Sequence, residues 1–460
     1  MTKLATIILA AGKGTRLKSD RVKVLHPLLG KPMLSYAVEA SLNGLKAEKT
    51  VIVVGHQGEQ VQNLFSKHQV TFVSQEPQLG SGHAVLCAES ALSGYKGTVL
   101  VLCGDVPLVR VETLEALVAF HRRERATLTI GTTRVSDPVG YGRILRRKGA
   151  YVEKIVEEKD ASPGELDIDE INTGLYCVET PFLFDALKRV RADNRQGEYY
   201  LTDIVEIGCH DERKILAFET QDSDQFLGIN TRVDLAQAHE ILRKRYLERW
   251  MLEGVTIVDP ATAYIEATVT LGRDTVIHPN CAIQGKTAIG RRCTIGPNCL
   301  IADAQLGDDV TIKAFSAIEE SRIEKGAVVG PFSRLRPQTQ ILENAKVGNF
   351  VEVKKSVIGR GAKANHLAYI GDTTLGERTN IGAGTITCNY DGITKHPTII
   401  GDEVFVGSNT ELIAPVRIGD RAVIGAGSTI TRDVPEGSLA VSRSKQSNIP
   451  QWQARRRKKK

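Results

Sequence analysis

The stretch Leu271-Gly-Arg-Asp-Thr-Val-Ile277-His-Pro-Asn-Cys-Ala-Ile283-Gln-Gly-Lys-Thr-Ala-Ile289-Gly-Arg-Arg-Cys-Thr-Ile295-Gly-Pro-Asn-Cys-Leu-Ile301 decides the fold of the C-terminal half. A branched aliphatic returns every six residues. That period fits neither a helical turn nor the two-residue alternation of a strand. It is the period of a hexapeptide β-helix, in which three flat faces make a coil of about 18 residues. The series opens at Ile265. It resumes at Leu306, Ile312 and Ile318, then at Ile323, Val329, Leu335, Ile341, Val347 and Val353. Ile400, Val406, Leu412, Ile418, Ile424 and Ile430 close it. The span 265–430 thus predicts roughly nine coils, stacked at about 4.8 Å. Steps of five at 301–306, 318–323, 353–358 and 370–375 mark shortened coils. Between Ile381 and Ile400 the pattern yields to an insertion containing Cys388-Asn-Tyr-Asp-Gly392. An insertion in a solenoid must loop outward, and loops on rigid scaffolds carry sites.

The first half reads differently. Ala5-Thr-Ile-Ile-Leu9, Val51-Ile-Val-Val54 and Val99-Leu-Val-Leu102 are continuous apolar runs separated by long mixed segments. Such runs predict parallel strands buried on both faces, hence an α/β domain with a mostly parallel, Rossmann-like sheet. Between the halves, Leu235, Ala238, Leu242, Tyr246 and Trp250 recur at steps of three and four, as on an amphipathic helix. Asn230 or Thr231 suits its start, and Gly254 its C′ position. The expected division is 1–229, a linker helix 230–253, and a β-helix domain 254–460.

Composition narrows the class. No run of ~18 apolar residues exists to span a membrane. Met1 to Ala10 reads as a first strand rather than a secretion signal, because glycine turn chemistry follows at once. A cytoplasmic protein is expected. The net charge of +6 equals the charge of the terminal Arg455-Arg-Arg-Lys-Lys-Lys460, and the rest of the chain is balanced. With no aromatic residues among those charges, the tail reads as a disordered, solvated end, not a nucleic-acid arm. None of the eight cysteines forms a C-x-x-C pair. Cys281, Cys293 and Cys299 share a repeat slot with Thr275 and Thr287, so they read as small core residues rather than zinc ligands.

Two loops of the first half suggest chemistry. Leu9-Ala-Ala-Gly-Lys-Gly-Thr-Arg16 follows the first strand directly. Its glycines allow backbone N–H groups close to a phosphate, and Arg16 and Lys23 add charge. It is neither a Walker A loop nor a dinucleotide fingerprint. Cys103-Gly-Asp105-Val-Pro107 ends a buried strand, where a carboxylate points into the crevice of an open sheet. Asp105 is a candidate magnesium ligand.

Ala10-Ala-Gly-Lys-Gly-Thr-Arg16, Lys23, Gln78-Leu-Gly-Ser-Gly-His-Ala84 and Gly104-Asp105 together resemble the sugar-1-phosphate nucleotidyltransferases. Gly140-Tyr-Gly-Arg143, Ile155-Val-Glu157, Asn172-Thr-Gly174 and Gly197-Glu-Tyr-Tyr-Leu-Thr-Asp203 narrow the likeness. With the left-handed parallel β-helix added, the chain resembles the family of bifunctional N-acetylglucosamine-1-phosphate uridyltransferases and glucosamine-1-phosphate acetyltransferases. The resemblance implies acetyl transfer from acetyl-CoA to glucosamine-1-phosphate. Uridylyl transfer from UTP to N-acetylglucosamine-1-phosphate then releases pyrophosphate. It implies that Leu9, Ala10, Ala11, Gly12, Lys23, Gln78, Gly80, Ser81, Cys103 and Gly104 hold the nucleotide, with Gly14 against it. Gly140, Glu157 and Asn172 would hold the sugar, Asp105 and Asn230 Mg²⁺, and Arg16 and Lys23 would neutralise charge. Cys103 and Ser81 stand where relatives often carry tyrosine and threonine.

For the second half the informative residues interrupt the repeat. His366 lies two positions beyond the inward Ala364 and should sit outside the core. An imidazole is suited to take a proton from an amine at neutral pH. The resemblance gives His366 that role. It gives Arg336, Lys354, Tyr369 and Asn380 the sugar phosphate. Ala383, Asn389, Tyr390, Ser408, Ala426 and Arg443 would line the acetyl-CoA groove. A homotrimer is implied, with small-molecule substrates and neither nucleic acid nor membrane as partner. The alternative is a nucleotidyltransferase whose β-helix only oligomerises or regulates.

Overall fold

A computed structural model describes residues 3–457, arranged as two compact units, Met1–Leu242 and Arg243–Lys460. In the first unit the three apolar runs become β1 (Leu4–Ala10), β2 (Lys49–Val54) and β4 (Thr98–Cys103), with β3 at Thr71–Ser74. Further strands are β5 (Leu128–Arg134), β6 (Arg143–Arg146), β7 (Val152–Val156), β8 (Glu170–Glu179) and β9 (Ile215–Thr220). Their order is β9-β5-β8-β4-β1-β2-β3, with the β6–β7 hairpin joined to β8. β1 is parallel to β2 and β4, so Ile7 faces both Val51 and Val101. Only β8 on this path runs against its neighbours, β4 and β5. Consecutive side chains feed opposite layers: Ile7 and Val101 join one apolar core, Ile8 and Leu102 the other. Burial on both faces is why these strands read as unbroken apolar runs.

The helix Arg232–Leu252 begins on a closed set of caps. Asp234 Oδ2 accepts the N–H groups of Asn230 (2.9 Å) and Thr231 (2.7 Å), and Thr231 Oγ1 accepts that of Asp234 (3.2 Å). At its end Gly254 takes φ 94°, while Gly254 N–H bonds Met251 O and Val255 N–H bonds Trp250 O. That is a Schellman termination, and only glycine adopts its conformation cheaply. The two units divide within this helix, after Leu242. Leu247 and Trp250 belong to the core of the second unit. Sequence periodicity placed Tyr246 on the buried stripe, but Leu247 is the buried residue there.

The second unit is a left-handed parallel β-helix whose faces are sheets of eleven, ten and nine strands among the described residues. Every repeat aliphatic from Ile312 to Val353 is at most 1% exposed. At the steps of five, strands pair 17 residues apart, as Ala288 with Gln305. The solenoid begins earlier than its periodicity shows. Thr256–Ile257 already pairs with Val276–Ile277. Ile257 escapes the six-residue count because the corner 258–263 is wider, folded by Asp259 around Ala261 N–H and Thr262 Oγ1. At the other end Leu439–Ala440 still pairs with Val423–Ile424.

The shared repeat slot has a physical reason. Thr275 Oγ1 donates to Gly290 O (2.8 Å), Cys281 Sγ to Gly296 O (3.1 Å) and Cys293 Sγ to Gly307 O (3.1 Å). A small side chain with one weak donor satisfies a carbonyl of the next coil. Trp452–Arg457 forms a short helix where a disordered end was expected, its run of Gln, Ala and Arg being good helix formers. Residues 452–456 are exposed, and Lys458–Lys460 lie outside the described residues. No helix among the described residues is long and apolar enough to cross a membrane.

Ile295 is fully buried in the interior column. Ile295→Ala should cost about 2–5 kcal/mol. Guanidinium unfolding of the second unit, compared with the parent chain, checks this.

Candidate active sites

In the first unit, the glycine loop and Asp105 meet because β1 and β4 are neighbours. Gly104 N–H bonds Leu9 O (2.9 Å), holding the two strand ends together. Lys23 Nζ, largely buried, donates to Asp105 Oδ2 (2.6 Å) and to Asn230 Oδ1 (2.9 Å). Arg16 Nη2 donates to the same Asn230 oxygen (2.9 Å). Two cations thus converge on a carboxylate and an amide from chain positions far apart. Gly14 has φ 65°, and a Cβ there would come within 2.6 Å of the Lys23 Cβ, so the glycine sets where Lys23 lies. After the loop the chain makes only a 3₁₀ turn, Thr15–Leu17. Its anion-binding capacity therefore rests on loop amides, Arg16 and Lys23, not on a helix dipole.

The Gln78–Ala84 segment is tied to both sides of this end. Gln78 Nε2 donates to Ala11 O. Tyr199 N–H bonds Leu79 O, Gly82 N–H bonds Tyr199 O, and Ser81 Oγ accepts Leu201 N–H (3.0 Å). Gly80 has φ 110° against the Tyr199 backbone, so it has no room for a side chain. The Cys103 thiol is pushed up to about 12 by desolvation and then by Asp105, so it stays protonated at neutral pH and is no nucleophile.

Around β6, β7 and β8 sit the residues matched to the sugar. Arg143 is 2% exposed, and its Nη1 donates to the carbonyls of Pro138 and Tyr141. A buried guanidinium thus hangs the loop bearing Gly140, whose φ is 87°. Asn172 Oδ1 accepts Gly174 N–H (3.0 Å), and its Nδ2 donates to Tyr176 Oη (2.7 Å), within a register shift of β8. Burial raises the Glu157 carboxyl, opposed by a hydrogen bond from Thr202 Oγ1 (3.1 Å). Glu157 also lines an open cavity of about 500 Å³ with Asp160, Asp203 and Glu206.

In the second unit, strand pairing lines up residues that the sequence scatters. Asn349 pairs with His366. Extending the ladders by two residues, Ala383, Ser408 and Ala426 follow at the same corner on successive coils. His366 is exposed and Ala364 fully buried, as their spacing predicts. The column above the imidazole carries only small side chains for three coils, about 14 Å at 4.8 Å each. Arg443 Nη1 donates to Ala426 O (2.6 Å) at its far end.

Across the corner, Tyr369 pairs with Glu352 and Lys354 with Gly371. Arg336 lies one coil before Lys354, and its Nη1 donates to Glu352 Oε1 (2.9 Å). Lys395 of the insertion, then burial and then Arg336, hold the half-buried Lys354 below the usual lysine range. Like charges gathered this way favour a bound anion. Asn389 is buried and donates to Asp372 Oδ2 (2.5 Å), whereas Tyr390 is exposed and donates to Gly392 O (2.6 Å). A Cβ on Gly371 would meet both Tyr369 Oη and Asn389 Nδ2, so glycine lets these two side chains approach. Asn380 is half-buried on the first position of its strand, paired with Lys363.

Both halves of the chain match known protein families. Residues 5–251 match the family described as nucleotidyl transferase. Residues 268–303 match the bacterial transferase hexapeptide (six repeats), and 397–432 the hexapeptide repeat of succinyl-transferase. The bifunctional protein GlmU of Pelobacter propionicus is 51% identical over 460 residues, covering 100% of both chains. That of Syntrophotalea carbinolica is 51% identical over 453 residues, covering 98% of this chain and 97% of its own. The chain belongs to the bifunctional GlmU family. The Listeria monocytogenes GlmU protein, 47% identical over 97% of both chains, extends the likeness to a more distant source. Like its GlmU relatives, the chain is a bifunctional transferase with a nucleotidyltransferase unit and a hexapeptide transferase unit.

Three side chains at the GlmU sites were not singled out from the sequence. Gln75 is 3% exposed, and its Nε2 donates to Gly80 O (2.9 Å) and meets His83 Nδ1 (3.2 Å). It holds the loop that carries Gln78, Gly80 and Ser81. Lys395 lies six residues past Asn389 and joins the cations only because the insertion folds back. Asn349 faces His366 from the coil below.

Burial, with Glu206 and Glu157 nearby, raises Asp203 from 3.8 to about 6. A carboxyl raised on folding favours the native state while protonated. That contribution is complete below about pH 4 and is lost as pH rises through about 6. Asp203→Asn is neutral throughout. Its Tm relative to the parent chain should therefore rise by about 2 °C or more between pH 4.5 and 7.5, as calorimetry can show.

Proposed function

We propose that the second unit acetylates glucosamine-1-phosphate from acetyl-CoA, and that the first unit then joins the product to UTP. UDP-N-acetylglucosamine and pyrophosphate result. The observation that carries the reading is the corner column of the β-helix. An exposed imidazole stands at the foot of a run of small residues, with three cations across the corner.

The acetyl step follows from that arrangement. Arg336, Lys354 and Lys395 take the sugar phosphate, and Tyr369 and Asn380 complete the pocket. The sugar amine then lies toward His366. The amine nitrogen attacks the thioester carbonyl, forming the C–N bond, and His366 takes the amine proton. The C–S bond breaks and the thiolate leaves, protonated in turn. Ala383, Ser408 and Ala426 leave room for the extended thiol arm, with Arg443 available to phosphate and Asn389 and Tyr390 beside the insertion. General base action of this kind supplies about 10²–10⁴ in rate.

The uridylyl step needs positioning and neutralised charge, not a covalent intermediate. A sugar-phosphate oxygen attacks the α-phosphorus of UTP, and the bond to the β-phosphate breaks. The loop at Leu9, Ala10, Ala11 and Gly12, with Gly14, approaches the phosphates. Gln78, Gly80 and Ser81 lie at the base, with Cys103 and Gly104 at the strand end. Gly140, Glu157 and Asn172 lie at the sugar, and Arg16 and Lys23 meet the developing charge. Asp105 and Asn230 fit a magnesium ion: two hard oxygens already converge on one ammonium, Lys23 Nζ, and phosphates and water can complete six ligands. Such an ion, when bound, would neutralise triphosphate charge during the transfer. The protein acts in the cytoplasm as a homotrimer, a state that the flat solenoid faces suit.

Asp105→Ala should lower pyrophosphate release from UTP and N-acetylglucosamine-1-phosphate by about 100-fold or more while acetyl transfer persists. His366→Ala should do the reverse, read as free thiol from acetyl-CoA and glucosamine-1-phosphate. Thiol release that survives His366→Ala would sink the acetyl half of the reading.

A further inference from the structure

We propose that Asn349 is a positioning residue for acetyl transfer, fixing the tautomer and aim of the His366 ring. The inference rests on the reading of His366 as the base. His366 Nδ1 lies 2.8 Å from Asn349 Oδ1, across adjacent strands of one face. An amide oxygen can only accept, so Nδ1 carries the proton. The lone pair of the neutral ring is thereby placed on Nε2, pointing away from the coil below. An exposed histidine without such a partner would divide its population between two tautomers and several ring orientations. Here the solenoid supplies the constraint, because both residues stand on rungs that cannot shift independently.

No carboxylate makes this bond. An amide orients the ring without adding charge. Other titratable groups on the elements packed around the ring are few. Lys346 lies on the Asn349 strand and Lys363 on the His366 strand, whereas Asn380–Ile381 above carries none. Across the corner stand Glu352 and Tyr369, with the cations Arg336, Lys354 and Lys395.

The test uses the full chain with three substitutions: Asn349→Ala, Asn349→Asp and His366→Ala. Acetyl transfer is followed as thiol release from pH 5.5 to 9, and uridylyl transfer serves as the folding control. Asn349→Ala should lower kcat about tenfold or more with KM for glucosamine-1-phosphate changed by less than about twofold. Asn349→Asp keeps an acceptor at the same place but stabilises the imidazolium. It should retain more activity than Asn349→Ala at pH 8.5 and move the acidic limb of the kcat profile upward by about one pH unit or more. An unchanged rate and an unchanged limb in both variants would overturn the inference. So would equal loss in both with no movement of the limb. The His366→Ala arm separates the two ideas. If it abolishes thiol release while the Asn349 variants behave as the parent, only the positioning role fails. If it leaves thiol release intact, the base itself is wrong.

Discussion

One constraint governs the second unit: each sixth residue must enter the same narrow interior. An isoleucine, leucine or valine at that position stacks on its counterpart in the next coil, and no other register buries the whole column. Backbone pairing follows from the stacking, since each coil's N–H groups meet the carbonyls of the next. Once the interior is fixed, the outward residues are fixed too. Every exposed side chain acquires a neighbour one coil up and one coil down, at a spacing set by the sheet rather than by its own chemistry. A site on such a surface is rigid before any ligand arrives.

The site sits where that rule is locally altered. Along the corner next to His366, left-handed positions on successive coils hold Phe315, Phe332, Phe350 and Leu367. The phenylalanine rings stack at 4.9 and 5.3 Å. A left-handed conformation disfavours a bulky residue, and ring stacking offsets part of that cost. Beyond Leu367 the same position holds Gly384, Asn409 and Gly427. The ladder of large side chains therefore ends at the coil that carries His366, and the small column above it begins there. A wall stops and an open channel starts at one residue.

Much of this was legible in the sequence, and the exceptions share a cause. The six-residue period gave the interior column, the shortened coils and the insertion. The apolar runs gave the central strands of the first unit. Periodicity missed the coil at Thr256–Ile257 because a wide corner breaks the count, not because the packing differs. The glycine loop and the strand end brought Arg16, Lys23 and Asp105 to attention, and the resemblance Asn230, but not that Lys23 bridges the last two. Gln75 and Lys395 act by holding or joining other residues, and a supporting role leaves no motif of its own. The Asn349–His366 pair is the sharpest case. Seventeen residues separate them, a distance meaningful only after the five-residue step at 353–358 is converted into a shortened coil.

The two units solve the problem of placing charge in opposite ways. The nucleotide end gathers Arg16, Lys23, Asp105 and Asn230 from the ends of different elements, with Arg16 and Asn230 214 positions apart. Loops there can adjust as phosphates bind and leave, which suits a reaction run by neutralising charge. The His366 corner takes its geometry from rungs whose spacing cannot relax, which suits the proposed acetyl transfer, where one lone pair must be aimed at one amine. A one-residue change in the 353–358 step would carry Asn349 off the His366 rung and bring its neighbour in sequence, on the other side of the strand, into its place. The shortened coil is thus more than a blemish in the repeat. It is the element that registers His366 to Asn349.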